Sequence, residues 1–179
     1  CELPTHMYKG GSQLPRMRIL QVTGAYPPTI GGGPSIGRDM TAYLLDRGHH
    51  VSVVTTDPGD GDRGDSDVYR APAKRIAGAP VEPTFPRLLH RVADQVDPGI
   101  IHSYYPLPFY PDVAAAYAST KNIPFVLTCF GAWESSFDSV IGTLGFAYNN
   151  TLLRGTLRLT DAAHTLSPGA LTDIDTYDG

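Results

Sequence analysis

The chain has 179 residues, 14 Lys and Arg against 18 Asp and Glu, a formal net charge of -4, 41% hydrophobic and 18% charged residues. That composition excludes a long disordered tract, which needs low hydrophobicity and high net charge. It also argues against a general nucleic-acid binder, since no stripe of Lys and Arg is present to displace counterions from phosphates.

One domain fits this length, which allows roughly 70% of the unfolded chain's surface to be buried. Residues 1–16, CELPTHMYKGGSQLPR, carry no periodicity and read as a disordered leader. Cys1 and Cys129 lie too far apart to suggest a disulfide framework or a metal knuckle. No apolar run is long enough to span a bilayer and no signal-peptide core is visible, so a cytoplasmic protein is expected, with peripheral membrane contact left open.

The first element, 17–22 (MRILQV), is a short β-rich run. A helix follows over Ser35–Arg47, with Ile36, Met40, Tyr43 and Leu44 at helical spacing and Gly48 as its stop. A second buried strand at 50–56 completes a βαβ unit, whose crossover makes the two strands parallel. The polar stretch 57–67 reads as a surface loop, and 68–78 as a third strand with an irregular continuation. Pro86 opens a helix to about Val96, a strand lies at 99–103, a helix over the segment YPDVAAAYASTKN, and a buried strand over IPFVLTCF. Asn149 to Leu159 reads as helical, 162–167 as a last strand, and Pro168 begins a final helix. The alternation predicts an α/β fold: a Rossmann-like, doubly wound, mainly parallel sheet of about six strands or slightly more with helices on both faces. Ligands are then expected at the carboxyl ends of the strands.

The loop before the first helix holds Gly31, Gly32 and Gly33, where bare amides and the positive end of a helix dipole suit a phosphate. Pro34 and Ser35 follow instead of the Lys-Ser/Thr of a Walker loop, and Ile36 stands where G-x-G-x-x-G would need its last glycine. Three glycines making a plain turn is the bland alternative.

The run MRILQVTGAYPPTIGGGPSIGRDMTAYLLDRGHHVSVVTTD resembles the opening of family 4 glycosyltransferases. Three further runs agree in order: DPGIIHSYYPLP with the family's Asp-x-x-x-His strand and loop, IPFVLTCFGAW with its Thr-x-His-Gly loop, and LRLTDAAHTLSPGALTDI with its late Ala-Asp strand and Ser-initiated helix. The resemblance spans nearly all of 17–179. It implies the acceptor-side, N-terminal Rossmann-like domain of a two-domain GT-B enzyme, over 17–179, with the C-terminal donor-binding domain absent. Only three glutamates exist, Glu2, Glu82 and Glu134, and none is placed to form the Glu-x7-Glu signature that the resembled family carries in that second half.

The implied activity is transfer of a sugar, hexosyl in type, from a UDP- or GDP-linked nucleotide-sugar to a sugar or lipid-linked acceptor. The resembled family retains anomeric configuration, and the isolated fragment is expected to be inactive. Gly31, Gly32 and Gly33 would approach the donor diphosphate or its sugar. Catalytic candidates are His102 and Glu134, each with a plain alternative: a satisfied structural histidine and a solvated carboxylate. Phe130 occupies the family's His position within Thr128-Cys129-Phe130-Gly131, and an aromatic ring can stack on a sugar but cannot share a proton. Tyr104, Tyr105, Phe109, Phe130 and Trp133 form the expected acceptor-binding set, although packing of a proline-rich loop would look alike. No cofactor and no metal are expected. His49 and His50, adjacent on a strand, point to opposite faces and cannot easily share an ion. Ser167 lies outside any G-x-S-x-G elbow.

Two other readings stay in view. One is a Rossmann-type oxidoreductase or sugar-nucleotide-modifying enzyme using Asp57 on a ribose. The other is a non-catalytic subunit of a split glycosyltransferase.

Overall fold

The computed structural model describes residues 15–57, 67–76, 79–105, 108–130 and 140–165. Five of its strands alternate with helices along the chain: β1 (Arg18–Val22), α1 (Gly32–Asp46), β2 (His50–Asp57), β3 (Val68–Pro72), a hairpin of β4 (Lys74–Ile76) and β5 (Ala79–Val81), α2 (Phe85–Val96), β6 (Ile100–Tyr105), α3 (Tyr110–Lys121) and β7 (Phe125–Cys129). Then come α4 (Val140–Tyr148), a π-helical turn (Asn149–Leu153), α5 (Arg154–Arg158) and β8 (Ala162–Thr165). Six strands form one sheet in the order β3-β2-β1-β6-β7-β8, and every pairing in it is parallel. The expected doubly wound sheet is therefore present, with a small antiparallel β4-β5 pair beside it.

Strand alternation sorts the two faces. Leu20, Val22, Val54, Ile101, Phe125 and Leu127 point one way, into a core closed by Phe85, Leu88, Leu89 and Val92 of α2 and by Ala114, Ala115 and Ala118 of α3. The small alanines let α3 sit close on the sheet, and the Phe85 ring meets the Tyr110 ring edge-on at 4.7 Å.

The opposite face carries Gln21, Val53, Thr55, His102, Tyr104 and Thr128, all buried, and α1 lies over part of it. That helix behaves differently from its hydrophobic pattern. Ile36, Met40 and Leu44 are half-buried and Tyr43 is exposed, while the buried contact is made by Gly37, which presents backbone to the Tyr26 ring. Tyr43 instead lies under the Arg47 guanidinium at 3.7 Å.

Three boundaries shift. Helix α1 starts at Gly32, not Ser35, so two of the glycines belong to its first turn. Strand β6 runs on to Tyr105, since Ser103, Tyr104 and Tyr105 pair with Leu127, Thr128 and Cys129. The late helix starts at Val140, well before Asn149, despite Gly142 and Gly145. Gly48 does end α1 as expected, at φ 81°, a left-handed conformation that glycine adopts without strain. The expected final helix from Pro168 lies outside the described residues.

Candidate functional site

The carboxyl ends of β1, β6 and β7 meet the amino end of α1. Gly31 is the N-cap residue, at φ 157° and ψ 167°, a backbone state essentially reserved for glycine. The first helical bond runs from the Ser35 amide to the Gly31 carbonyl at 3.1 Å. Pro34 has no N–H, so the amides of Gly32 and Gly33 are the free donors of this turn. Among the described residues no side chain caps them, and the first turn holds no acidic residue. A Cβ built on Gly32 would meet nothing within 4 Å among the described residues, so the turn is open at that position.

A Cβ built on Gly33 would lie 3.7 Å from Cε2 of Phe130. The half-buried Phe130 ring stacks on Tyr104 with centroids 5.8 Å apart and an interplanar angle of 23°. Tyr104 in turn lies 4.6 Å from the His102 ring. Four of the residues singled out in the sequence, Gly33, Phe130, Tyr104 and His102, thus form one contiguous strip from the helix amides into the sheet. Residues 102 and 104 share a face because they are two apart on a strand.

Because β6 runs on to Tyr105, His102 lies inside the strand and not near its end. It sits mid-strand in β6, buried, with Nε2 2.8 Å from the Thr128 hydroxyl, which lies 3.4 Å from Nδ1 of His164. Burial, aided by the nearby His164, pulls its pKa down from 6.5 to about 4. The imidazole is therefore neutral at physiological pH and acts as a hydrogen-bonding group, not a cation. Burial also pushes the Tyr104 hydroxyl above its ordinary value and the Cys129 thiol up to about 12, so neither is a ready nucleophile.

The remaining candidates lie outside this strip or outside the described residues. Phe109 precedes α3 at φ 78°, held by its N–H donating to Asp112 at 2.7 Å, and its ring meets Tyr110 edge-on at 5.4 Å. Tyr105 ends β6, but its side chain, like Trp133 and Glu134 as a whole, lies outside the described residues. His49 is buried, with Nδ1 accepting from the Met17 amide, whereas His50 is exposed. The pair therefore diverges as strand geometry requires.

Sequence reasoning missed the layer beneath this strip. Gln21 is fully buried on β1, with Oε1 2.7 Å from the Thr41 hydroxyl of α1, and the Tyr26 hydroxyl lies 3.1 Å from the same oxygen of Thr41. Its place in an apolar run, two residues after Ile19 and opposite His102, was the available signal.

The fold and its glycine turn define a Rossmann-like domain with an anion-suited helix end at the switch between β1 and β6. The profile of glycosyltransferase family 4 matches residues 30–179, and the chain belongs to that family. Two solved GT-B glycosyltransferases share its fold. MurG from Acinetobacter baumannii is 14% identical at a TM-score of 0.55, covering 86% of this chain and 42% of MurG. The catalytic domain of Arabidopsis thaliana starch synthase IV, bound to ADP and acarbose, is 14% identical at a TM-score of 0.52, covering 86% of this chain and 45% of that domain. The chain thus spans less than half the length of either. No curated protein matches the sequence. Among the described residues, no helix is long and apolar enough to cross a membrane.

Proposed function

We propose that this chain is the acceptor-side half of a retaining glycosyltransferase that moves a hexosyl group from a UDP- or GDP-linked sugar to a sugar or lipid-linked acceptor. The donor-binding half belongs to the rest of the enzyme, and this half alone is inactive because no cleft closes around the donor. The observation that carries the reading is the strip from the Gly32 and Gly33 turn, which no described side chain caps, through Phe130 to Tyr104, set at the carboxyl ends of the strands in a domain of family 4.

The amides meet the negative charge that develops on the leaving diphosphate, a preorganised electrostatic contribution that needs no rearrangement during reaction. The Phe130 face, backed by Tyr104, offers an apolar platform for the acceptor sugar. His102, neutral and one layer deeper, fixes the floor of the site through Thr128 and does not deliver a proton from solvent. No metal or cofactor is assigned a role.

The test is a panel of UDP- and GDP-sugars incubated with the complete protein that carries this chain, reading nucleotide release and sugar incorporation. One donor is expected to turn over, and Phe130→Ala is expected to raise the acceptor KM about tenfold, the loss of one aromatic stacking contact. Saturable NAD binding with no turnover of any sugar nucleotide would overturn the proposal.

A further inference from the structure

The loop that leads into the glycine turn is pinned at several points before it reaches Gly31. The Thr56 hydroxyl donates to the Gly24 carbonyl at 2.6 Å, the Tyr26 ring lies against Gly37 of α1, and the Tyr26 hydroxyl sits 3.1 Å from that of Thr41. The Thr29 amide donates to the Tyr26 carbonyl at 3.1 Å and closes a tight turn over residues 26–29. Within that turn Pro27 and Pro28 have no N–H to give, and the Thr29 hydroxyl is buried without a partner. Ile30 then stands almost fully exposed, directly before Gly31.

The turn is held from the sheet by a single long side chain. Arg70, on the edge strand β3, is in register with Thr55, so it leaves the sheet on the face that α1 covers. One terminal nitrogen of its guanidinium donates to the Pro27 carbonyl, joining residues 43 apart in sequence and spanning from β3, past β2, to the loop after β1. Among the described residues it is the last side-chain hydrogen bond to this loop before Gly31. The other terminal nitrogen is buried with no partner, and among the described residues no carboxylate pairs with the charge. Burying an unsatisfied donor opposes folding, and an apolar side chain in the same place escapes that cost. The tether therefore adds little net stability. What it fixes is where the turn sits.

We infer that Arg70 is a positioning residue for this site: by holding the Pro27 carbonyl it fixes the turn over residues 26–29, and with it the approach of Gly31, Gly32 and Gly33. Only three residues separate Pro27 from Gly31, so a displacement of one is passed to the other. A misplacement of about 1 Å in a positioned group is enough to cost a large part of its effect on rate. The consequence for transfer rests on the glycosyltransferase reading, whereas the tether itself is a property of the fold.

The test compares Arg70→Met and Arg70→Lys with the parent in the complete protein, by amide hydrogen exchange and by sugar transfer. Met keeps an unbranched apolar stem and removes every donor, and Lys keeps an ammonium that can still donate to a carbonyl. In Arg70→Met the exchange rate of the Thr29 amide is expected to rise about tenfold, less in Arg70→Lys, with the amides of β6 and β7 unchanged. In the transfer assay Arg70→Met is expected to lower kcat about tenfold with the acceptor KM nearly unchanged, and Arg70→Lys to recover part of that loss. Exchange of Thr29 at the parental rate in Arg70→Met would overturn the inference. So would an equal rise across β6 and β7, which would make Arg70 a support of the whole sheet. A loosened turn with parental kcat would refute the positioning role. A loosened turn in a protein that transfers from no donor would uphold the tether and overturn the glycosyltransferase reading instead.

Discussion

Asp112→Ala is expected to destabilise the domain by about 3 kcal/mol, lowering the melting temperature by roughly 10 °C for a domain of this size. Asp112 is the third residue of α3, and its carboxylate accepts from three donors. The Phe109 amide donates to Oδ2 at 2.7 Å, the Tyr148 hydroxyl sits 2.9 Å from both oxygens, and the Thr156 hydroxyl donates to Oδ1. Tyr148 and Thr156 are buried, so removing the carboxylate takes the acceptor from donors that water reaches poorly. The arrangement also explains the π-helical turn between them. Two residues eight apart on an unbroken α-helix would point about 80° away from each other, whereas absorbing one extra residue in a π turn brings them to within about 20°. The turn at Asn149–Leu153 therefore lets one helix place both hydroxyls on one carboxylate of α3. Asp112→Asn, which keeps two of the contacts, should lose about half as much; urea unfolding of the three proteins measures the series. Equal stability of all three would show that the carboxylate holds nothing together.

The second large effect is a pH dependence centred on His102. Its pKa falls from 6.5 to about 4 on folding, so the unfolded chain binds this proton before the native one does. Above pH 6.5 both states are neutral there and the group contributes nothing to the slope. As pH falls from 6.5 toward 4, stability is lost at up to about 1.4 kcal/mol per pH unit, reaching about 3 kcal/mol in all. Carboxylates add their own acid losses, so the comparison is between the parent chain and His102→Gln, each unfolded with urea across that range. The parent curve should be the steeper. Parallel curves would mean that the imidazole takes up its proton in the native state without penalty, and that it is not held neutral in the floor of the site.

Much of the architecture was legible because it follows from local rules. Buried runs such as 50–56 and the segment IPFVLTCF, separated by helices, leave little choice but a parallel sheet, and Gly48 marks the end of α1 unaided. The errors lie where tertiary contacts decide. Gly32 and Gly33 are poor helix formers, yet the turn closes around them because Gly31 takes a conformation no other residue reaches cheaply. The same weakness hid Val140–Tyr148, whose glycines and β-branched residues argue against a helix until Tyr148 and Thr156 anchor it to Asp112.

The site divides in the same way. That His102 and Tyr104 share a face follows from a spacing of two. That Phe130 lies against both Tyr104 and Gly33 does not, because it depends on β7 and α1, distant in sequence, converging at one edge of the sheet. Gln21 carries no signal by itself, since a polar residue in a strand ordinarily faces solvent, and only the pairing with buried His102 reveals which way it points. Phe109, placed in the aromatic set by its position in the sequence, stands apart from the strip, its backbone N–H held by Asp112 at the start of α3.

In the proposed transfer the Gly33 amide meets donor charge beside Phe130. Gly33→Val places a branched side chain against the Phe130 ring and over that amide without touching the α2 and α3 core. The decisive measurement is kcat for sugar transfer by the complete protein carrying this substitution, with the accepted nucleotide-sugar held at saturation. A fall of about a hundredfold with the melting temperature nearly unchanged is the predicted result, the scale expected for losing one preorganised donor to developing charge. Transfer at the parental rate would contradict the account, since the donor would then be held without this turn.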